Sequence, residues 1–376
     1  MMLPGVRVIE LGTTITAPLT AMLLADLGAD VIKVERPEGD PFRSFRGTQA
    51  GNPYFETFNR GKRSVVLDLA HAQGQAKMRA LLRDADVFVD NVRPSVLPRI
   101  GLDPVSLQAE NPRLIHCSIT GFGASGPYSA RPAFDTVAQA LSGLASMTLD
   151  PAAPVITGPT ISDSVTGMYA CIAILGALTR RAATGLGARL EVNMVEATMA
   201  LVGEHFTALQ AGIIPNRRTR GAGSQSYAFA CADKRLIAIH LSSLEKFWTG
   251  VIAAIEAPEL AADERFSTGA GRIANYVELQ TELSTRFAAK DRAVWIERLI
   301  AADVPFAPVN SFEEALEDDH VRALGIAEPL DKNGSGRAVI KTPVLLNGER
   351  PTAIRPAPLL GEHTAELLDQ PAADPR

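Results

Sequence analysis

The sequence predicts an α/β protein with a large domain on a mainly parallel sheet and a smaller α+β domain after it. Three observations carry this. Short apolar runs alternate with helical segments through the first half of the chain, the βαβ signature. A basic, Gly- and Ser-containing stretch, IPNRRTRGAGSQS, breaks the apolar periodicity at 214–226. Finally, 376 residues exceed what one hydrophobic core usually holds.

Taken in order, VRVIEL (6–11) reads as a strand, APLTAMLLADLGA (17–29) as a helix and DVIKVE (30–35) as a second, buried strand. SVVLDL (64–69), HAQGQAKMRALLRD (71–84), ADVFVDN (85–91) and RLIHCSIT (113–120) continue the alternation. Long helices are predicted over 133–148 and 163–182, then a strand RLEVNM (189–194) and a helix to Ala211. The large domain is thus 1–213, with 214–226 a linker and glycine-containing loop. YAFACADKRLIAIHL, the helix SSLEKFWTGVIAAI and helices within 277–302 form the small domain, 227–312. The remainder, 313–376, is too short to fold alone and is predicted to return to the large domain.

Composition narrows the function. With 46% hydrophobic and 21% charged residues the chain is an ordinary globular one. A net charge of −5 argues against nucleic acid as a partner, so an anionic ligand must meet a local basic cluster. Cys117, Cys171 and Cys231 have no metal-ligand or disulfide spacing, and no metal is expected. MMLPGVRVIELG lacks the pattern of a signal peptide, and the longest apolar run, Met168 to Leu178, is too short to span a bilayer. The expectation is a cytoplasmic protein with no membrane partner.

The most informative stretch is GPTISDSVTGMYACIAILGAL (158–178), where Asp163 stands at the change from polar loop to apolar helix. A carboxylate there meets unpaired N–H groups and the positive end of the helix dipole. It is expected to be ionised at neutral pH and is a candidate nucleophile, unless Ser162 or Asp163 merely caps the helix. The run Gly121-Phe122-Gly123-Ala124-Ser125-Gly126 matches GxGxxG after a strand, but Pro127 and Pro132 delay the helix that a dinucleotide site requires. These glycines are read as letting backbone pass close to a ligand or another segment.

IELGTTITAP, ADLGADVIKVERPEGD (25–40), NRGKRSVVLDL (59–69), ADVFVDNVRPSVLPRIG (85–101), RPAFDTVAQALSGL (131–144) and APLLGEHT (357–364) accompany the Asp163 segment. In order and spacing these resemble the class III CoA-transferase family, which includes formyl-CoA and carnitine CoA-transferases and the related α-methylacyl-CoA racemases. The resemblance implies the class III CoA-transferase fold, with a Rossmann-like large domain, and interlocked homodimers. It implies CoA transfer between an acyl-CoA and a free carboxylic acid through a covalent intermediate on Asp163. No permanently bound cofactor is implied, coenzyme A and acyl-CoA being substrates.

By the same resemblance Arg36, Leu67, Asn91, Val92 and Arg99 are CoA-contacting positions, Thr14, Ile15 and Thr16 form the first βα loop, and Asp135 and Gln139 lie near the nucleophile. Gly221 and Gly223 match a glycine loop that closes over the site. Ile15 stands where formyl-CoA transferases carry glutamine, and an apolar side chain cannot hydrogen-bond a small polar acyl group, which points to a larger or more apolar one. The racemase alternative needs a histidine where this chain has Phe134, and a phenyl ring exchanges no proton. A non-catalytic acyl-CoA-binding protein on the same fold is the remaining alternative.

Overall fold

The computed structural model describes residues 1–45, 52–242, 245–329, 338–350 and 355–368. Six strands, β1 (Arg7–Leu11), β2 (Asp30–Glu35), β3 (Arg63–Val66), β4 (Val87–Asp90), β5 (Ile115–Thr120) and β6 (Ala188–Asn193), form one parallel sheet in the order β3-β2-β1-β4-β5-β6. Its registers include Ile9 opposite Ile32 and Phe88, and Val89 opposite Cys117. The central strands are apolar on both faces because helices cover both.

On one face Val8, Val31, Val87, Ile115 and Cys117 pack with α1 (Thr16–Asp26) and, further along the chain, α8 (Ile161–Thr184). On the other, Ile9, Ile32, Val65 and Phe88 pack with Met78, Leu81 and Leu82 of α3 (Ala72–Arg83). The short helices α2 (Pro53–Asn59), α4 (Val96–Arg99), α5 (Pro104–Glu110), α6 (Asp135–Leu141) and α7 (Leu144–Thr148) join these elements, and α9 (Met194–Leu201) follows β6. The single helix expected over 133–148 is two, because Ser142 ends α6 and Gly143, at φ 87°, turns the chain into α7.

The helix α8 is 24 residues long, and by length and composition alone could cross a membrane. The apolar run that looked too short is the middle of a longer helix. Ala170, Cys171, Ile174 and Ala177 are buried against the sheet side of the core, so α8 is a core helix of a globular unit. It lies so close to α1 that a Cβ at Gly167 would fall 2.9 Å from Leu19, and Thr20 Oγ1 donates to the Gly167 carbonyl at 3.2 Å.

Two compact units emerge, one of Met1–Ala145, Leu149–Gly203 and Gly325–Arg376, the other of Ser146–Thr148 and Glu204–Leu324. They change over at Gly203 and Gly325, whereas the sequence reading placed boundaries at 213 and 312. In the first unit the C-terminal segment lies along β3: the His363 N–H donates to the Ser64 carbonyl at 2.9 Å, and Thr364 Oγ1 accepts from the Val66 N–H at 3.1 Å.

The second unit contains α10 (Gly203–Gln210) from Glu204 on, α11 (Thr219–Gly223) and an antiparallel sheet of β7 (Ser226–Ala230), β8 (Leu236–His240) and β9 (Phe306–Pro308). The expected linker at 214–226 therefore includes a short helix and the start of a strand. Phe229, Ile237, Trp248, Leu283, Phe287 and Trp295 form this unit's own core.

Candidate functional site

In a sheet ordered β3-β2-β1-β4-β5-β6 the connections reverse direction between β1 and β4, and ligands of open α/β sheets collect at the carboxyl ends of those two strands. A cavity of about 240 Å³ lies there in the first unit. Thr13, Thr14 and Ile15 come from the loop after β1 and Thr16 from the start of α1, Asn91, Val92 and Arg93 from the end of β4, and Ile119, Thr120 and Gly121 from the end of β5. Ser129, Arg131, Phe134, Met194 and Asp163 are further lining residues.

Asp163 is the third residue of α8, whose N-cap is Thr160, so neither Ser162 nor Asp163 caps the helix. Ser162 is instead tied to α9 by Thr198 Oγ1 at 2.7 Å. The α8 N–H at Asp163 donates to Asp135 Oδ1 at 3.2 Å, while Gln139 Nε2 donates to Asp135 Oδ2 at 2.5 Å. Asp135 thus serves the start of a helix 28 residues further on rather than its own. Among the described residues no group donates a hydrogen bond to the Asp163 carboxylate.

This arrangement corrects the expectation that Asp163 is ionised outright at neutral pH. Burial, and then the negative charge of Asp135, push its pKa up from 3.8 to about 7. The helix dipole favours the anion, but desolvation and a second carboxylate on the same helix start outweigh it. Such a carboxyl holds its proton up to neutrality and, once ionised, is a stronger base and nucleophile than an ordinary aspartate.

The same shift fixes a stability effect. The folded state binds this proton more tightly than the unfolded chain between pH 3.8 and about 7, so the ionised carboxylate is a burden above that window and none below it. Asp163→Asn is therefore expected to raise Tm more at about pH 8.5 than at about pH 5. Calorimetry at the two pH values checks this, and an equal change at both would contradict the burial argument.

Of the positions expected to meet substrate or CoA, Thr14, Ile15, Thr16, Asn91, Val92 and Asp163 line this one cavity. Asn91 braces the first loop, its Oδ1 accepting from the Thr13 N–H at 3.0 Å and its Nδ2 donating to the Thr13 carbonyl at 2.9 Å. Arg36 lies outside the lining: its side chain is 61% exposed, donates to the Gly39 carbonyl and faces Glu38. Arg99 is exposed at the end of α4, and Leu67 is buried in the core under β3. Gly221 and Gly223 belong to the second unit, within α11 and not in an irregular loop.

Arg93, which the sequence reading passes over in favour of Arg36 and Arg99, and Arg131, which it does not single out, both line the cavity. Arg131 lies over the Tyr128 ring at 3.9 Å. The GxGxxG run is a loop with no helix before Asp135, and Gly121 is needed because a Cβ there would fall 2.2 Å from the Ala133 side chain. Its glycine serves close passage of another segment. Phe134 lines the cavity and, among the described lining residues, no histidine does.

Comparison with known proteins follows the same line. The sequence pattern of CoA-transferase family III matches residues 3–364. Succinate–glutarate CoA-transferase of Agrobacterium fabrum is 34% identical over 97% of this chain and 94% of its own. The succinyl-CoA–L-malate CoA-transferase beta subunit of Chloroflexus aurantiacus is 35% identical over 98% and 93%. The crystal structure of a CAIB/BAIF family protein from Brucella suis superimposes with a TM-score of 0.85 at 32% identity, covering 97% of each chain. That of Rv3272 from M. tuberculosis gives 0.85 at 30%, covering 97% of this chain and 99% of the other. The chain belongs to CoA-transferase family III and is an enzyme of acyl-CoA metabolism.

Proposed function

We propose that this enzyme moves CoA from an acyl-CoA to a free carboxylic acid through a covalent intermediate on Asp163, and that its acids are dicarboxylic. The observation that carries the first part is Asp163 itself, a cavity carboxylate that accepts no hydrogen bond among the described residues. The Asp163 carboxylate attacks the thioester carbonyl, the C–S bond breaks, and a mixed anhydride and CoA thiolate result. The thiolate attacks the Asp163 carbonyl of the anhydride, releasing the donor acid and leaving an aspartyl-CoA thioester. The acceptor carboxylate attacks that thioester, and the expelled thiolate then takes the acceptor acyl group, which regenerates Asp163. Each step keeps the thioester's energy on the enzyme as long as water is excluded.

Arg93 and Arg131 support the second part, because a guanidinium pairs with a carboxylate in two parallel hydrogen bonds. The related enzymes named above act on succinate, glutarate and malate, each with a second carboxylate. Ile15 fits this reading by leaving no side-chain donor for a formyl group. Arg36 and Arg99, exposed on the same unit, are left for the CoA phosphates. A second copy of the chain is the proposed partner, met by the exposed apolar side chains of Val137, Leu141, Met168, Ile172 and Met199.

The test is mass spectrometry of a panel of acyl-CoA donors crossed with mono- and dicarboxylic acceptors. Transfer to dicarboxylates, with acyl-CoA-dependent hydroxylamine or borohydride modification at Asp163, is expected. Transfer without any trapped adduct would overturn the covalent route, and preference for monocarboxylates would overturn the substrate class.

A further inference from the structure

A group of ionised side chains with no solvent exposure lies where the first loop leaves β1. Lys33 Nζ is 2.8 Å from Glu10 Oε1 and 3.0 Å from Asp40 Oδ2, and Lys62 Nζ is 2.6 Å from Glu10 Oε2. All four side chains are buried, and two cations balance two carboxylates. Such a cluster is a poor device for stability, since apolar residues of similar volume often do as well. Its contacts suggest a different purpose.

Two of its members, Lys33 and Asp40, grip the loop that opens onto the Asp163 cavity, and Lys62 grips the first turn of α1 that follows it. Lys33 donates to the Gly12 carbonyl at 2.9 Å, and Lys62 to the Pro18 carbonyl at 2.9 Å. Asp40 takes the Thr14 N–H at 3.3 Å to Oδ2 and 3.4 Å to Oδ1, and its Oδ1 accepts from the Phe42 N–H at 2.8 Å. Thr14 has φ 70°, a left-handed conformation that a β-branched residue adopts only when its surroundings impose it. Thr14, Ile15 and Thr16 all line the cavity.

We propose that Asp40, neutralised by Lys33, is a positioning residue: its carboxylate holds Thr14 in the left-handed conformation and so sets where the 13–16 loop stands against Asp163. This rests on Asp163 being the reacting group. A displacement of about an ångström in such a wall costs turnover more than binding.

The test compares wild type, Asp40→Asn, Thr14→Gly and the double variant, because glycine adopts the left-handed conformation without help. Asp40→Asn is expected to lower kcat about tenfold with KM little changed, and to speed hydrogen exchange in the segment 12–17. In the Thr14→Gly background the same substitution is expected to cost less than about threefold. Should Asp40→Asn not fold, Asp40→Glu, which keeps the charge beside Lys33 but moves the carboxylate off the Thr14 N–H, is expected to lower kcat in the same direction, again rescued by Thr14→Gly.

Equal losses in both backgrounds, or unchanged exchange at 12–17, would show that Asp40 is merely structural and overturn the proposal. A wild type that transfers CoA but yields no adduct at Asp163 overturns the covalent reading alone, and the exchange comparison still decides this one.

Discussion

Asp163→Ala is expected to lower turnover by more than about a hundredfold while leaving CoA affinity within about threefold of wild type. The two halves have separate physical causes. Truncation removes the atom proposed to attack the thioester, and no other carboxylate lines the cavity among the described residues. Asp135 is no substitute, because its two oxygens are already taken by the Asp163 N–H and by Gln139. CoA, in contrast, is proposed to be held by cations away from Asp163, such as Arg36 and Arg99, which the substitution leaves in place.

Steady-state turnover with titration of CoA binding separates the effects. A variant that keeps more than about a hundredth of wild-type turnover would show that the acyl group never visits Asp163. A variant that loses CoA affinity in parallel would place the carboxylate in binding instead. Asp163→Asn serves as the isosteric control, since it keeps the backbone bond to Asp135 while removing the nucleophilic charge.

Much of this site was legible in the sequence. Asp163 stands out because a polar loop turns into an apolar helix around it, and the strand pattern of VRVIEL, DVIKVE and ADVFVDN gives a parallel sheet without knowledge of the strand order. What could not be read depends on contacts between distant residues. The order β3-β2-β1-β4-β5-β6 puts the cavity at the ends of β1, β4 and β5, so Arg93, after β4, and Arg131, after β5, line it and Arg36, after β2, does not. Arg93 sits two residues beyond Asn91 and Arg131 precedes the Phe134–Asp135 pair, so proximity to those expected positions was the available signal.

Lys33 reads as a charge set between the apolar Ile32 and Val34, and its burial is intelligible only with Glu10 and Asp40 on either side. The ionisation of Asp163 was misjudged for the same reason. A helix start is visible in the sequence, whereas the carboxylate that occupies its N–H comes from a different helix.

That carboxylate leads to the second large expected effect, in the pH dependence of kcat/KM. With Asp163 pushed up to about 7, ionised nucleophile falls about a hundredfold from about pH 8 to about pH 5, and wild-type kcat/KM is expected to fall with it. Asp135→Asn removes the second of the two causes but not the first. Burial, the larger cause, still holds the Asp163 pKa above 3.8, so the acid limb is expected to move down without reaching that of an ordinary aspartate. An asparagine oxygen still accepts the Asp163 N–H, and Gln139 can turn its amide to face the new NH₂, so the helix start keeps its partner. The variant is therefore expected to gain on wild type as the medium is acidified, the ratio of the two rising steadily from about pH 8 to about pH 5. Using the ratio cancels the titration of the substrates' own carboxylates. A ratio that stays flat across the range would mean that Asp135 acts only as a hydrogen-bond acceptor and that its charge does not reach the nucleophile.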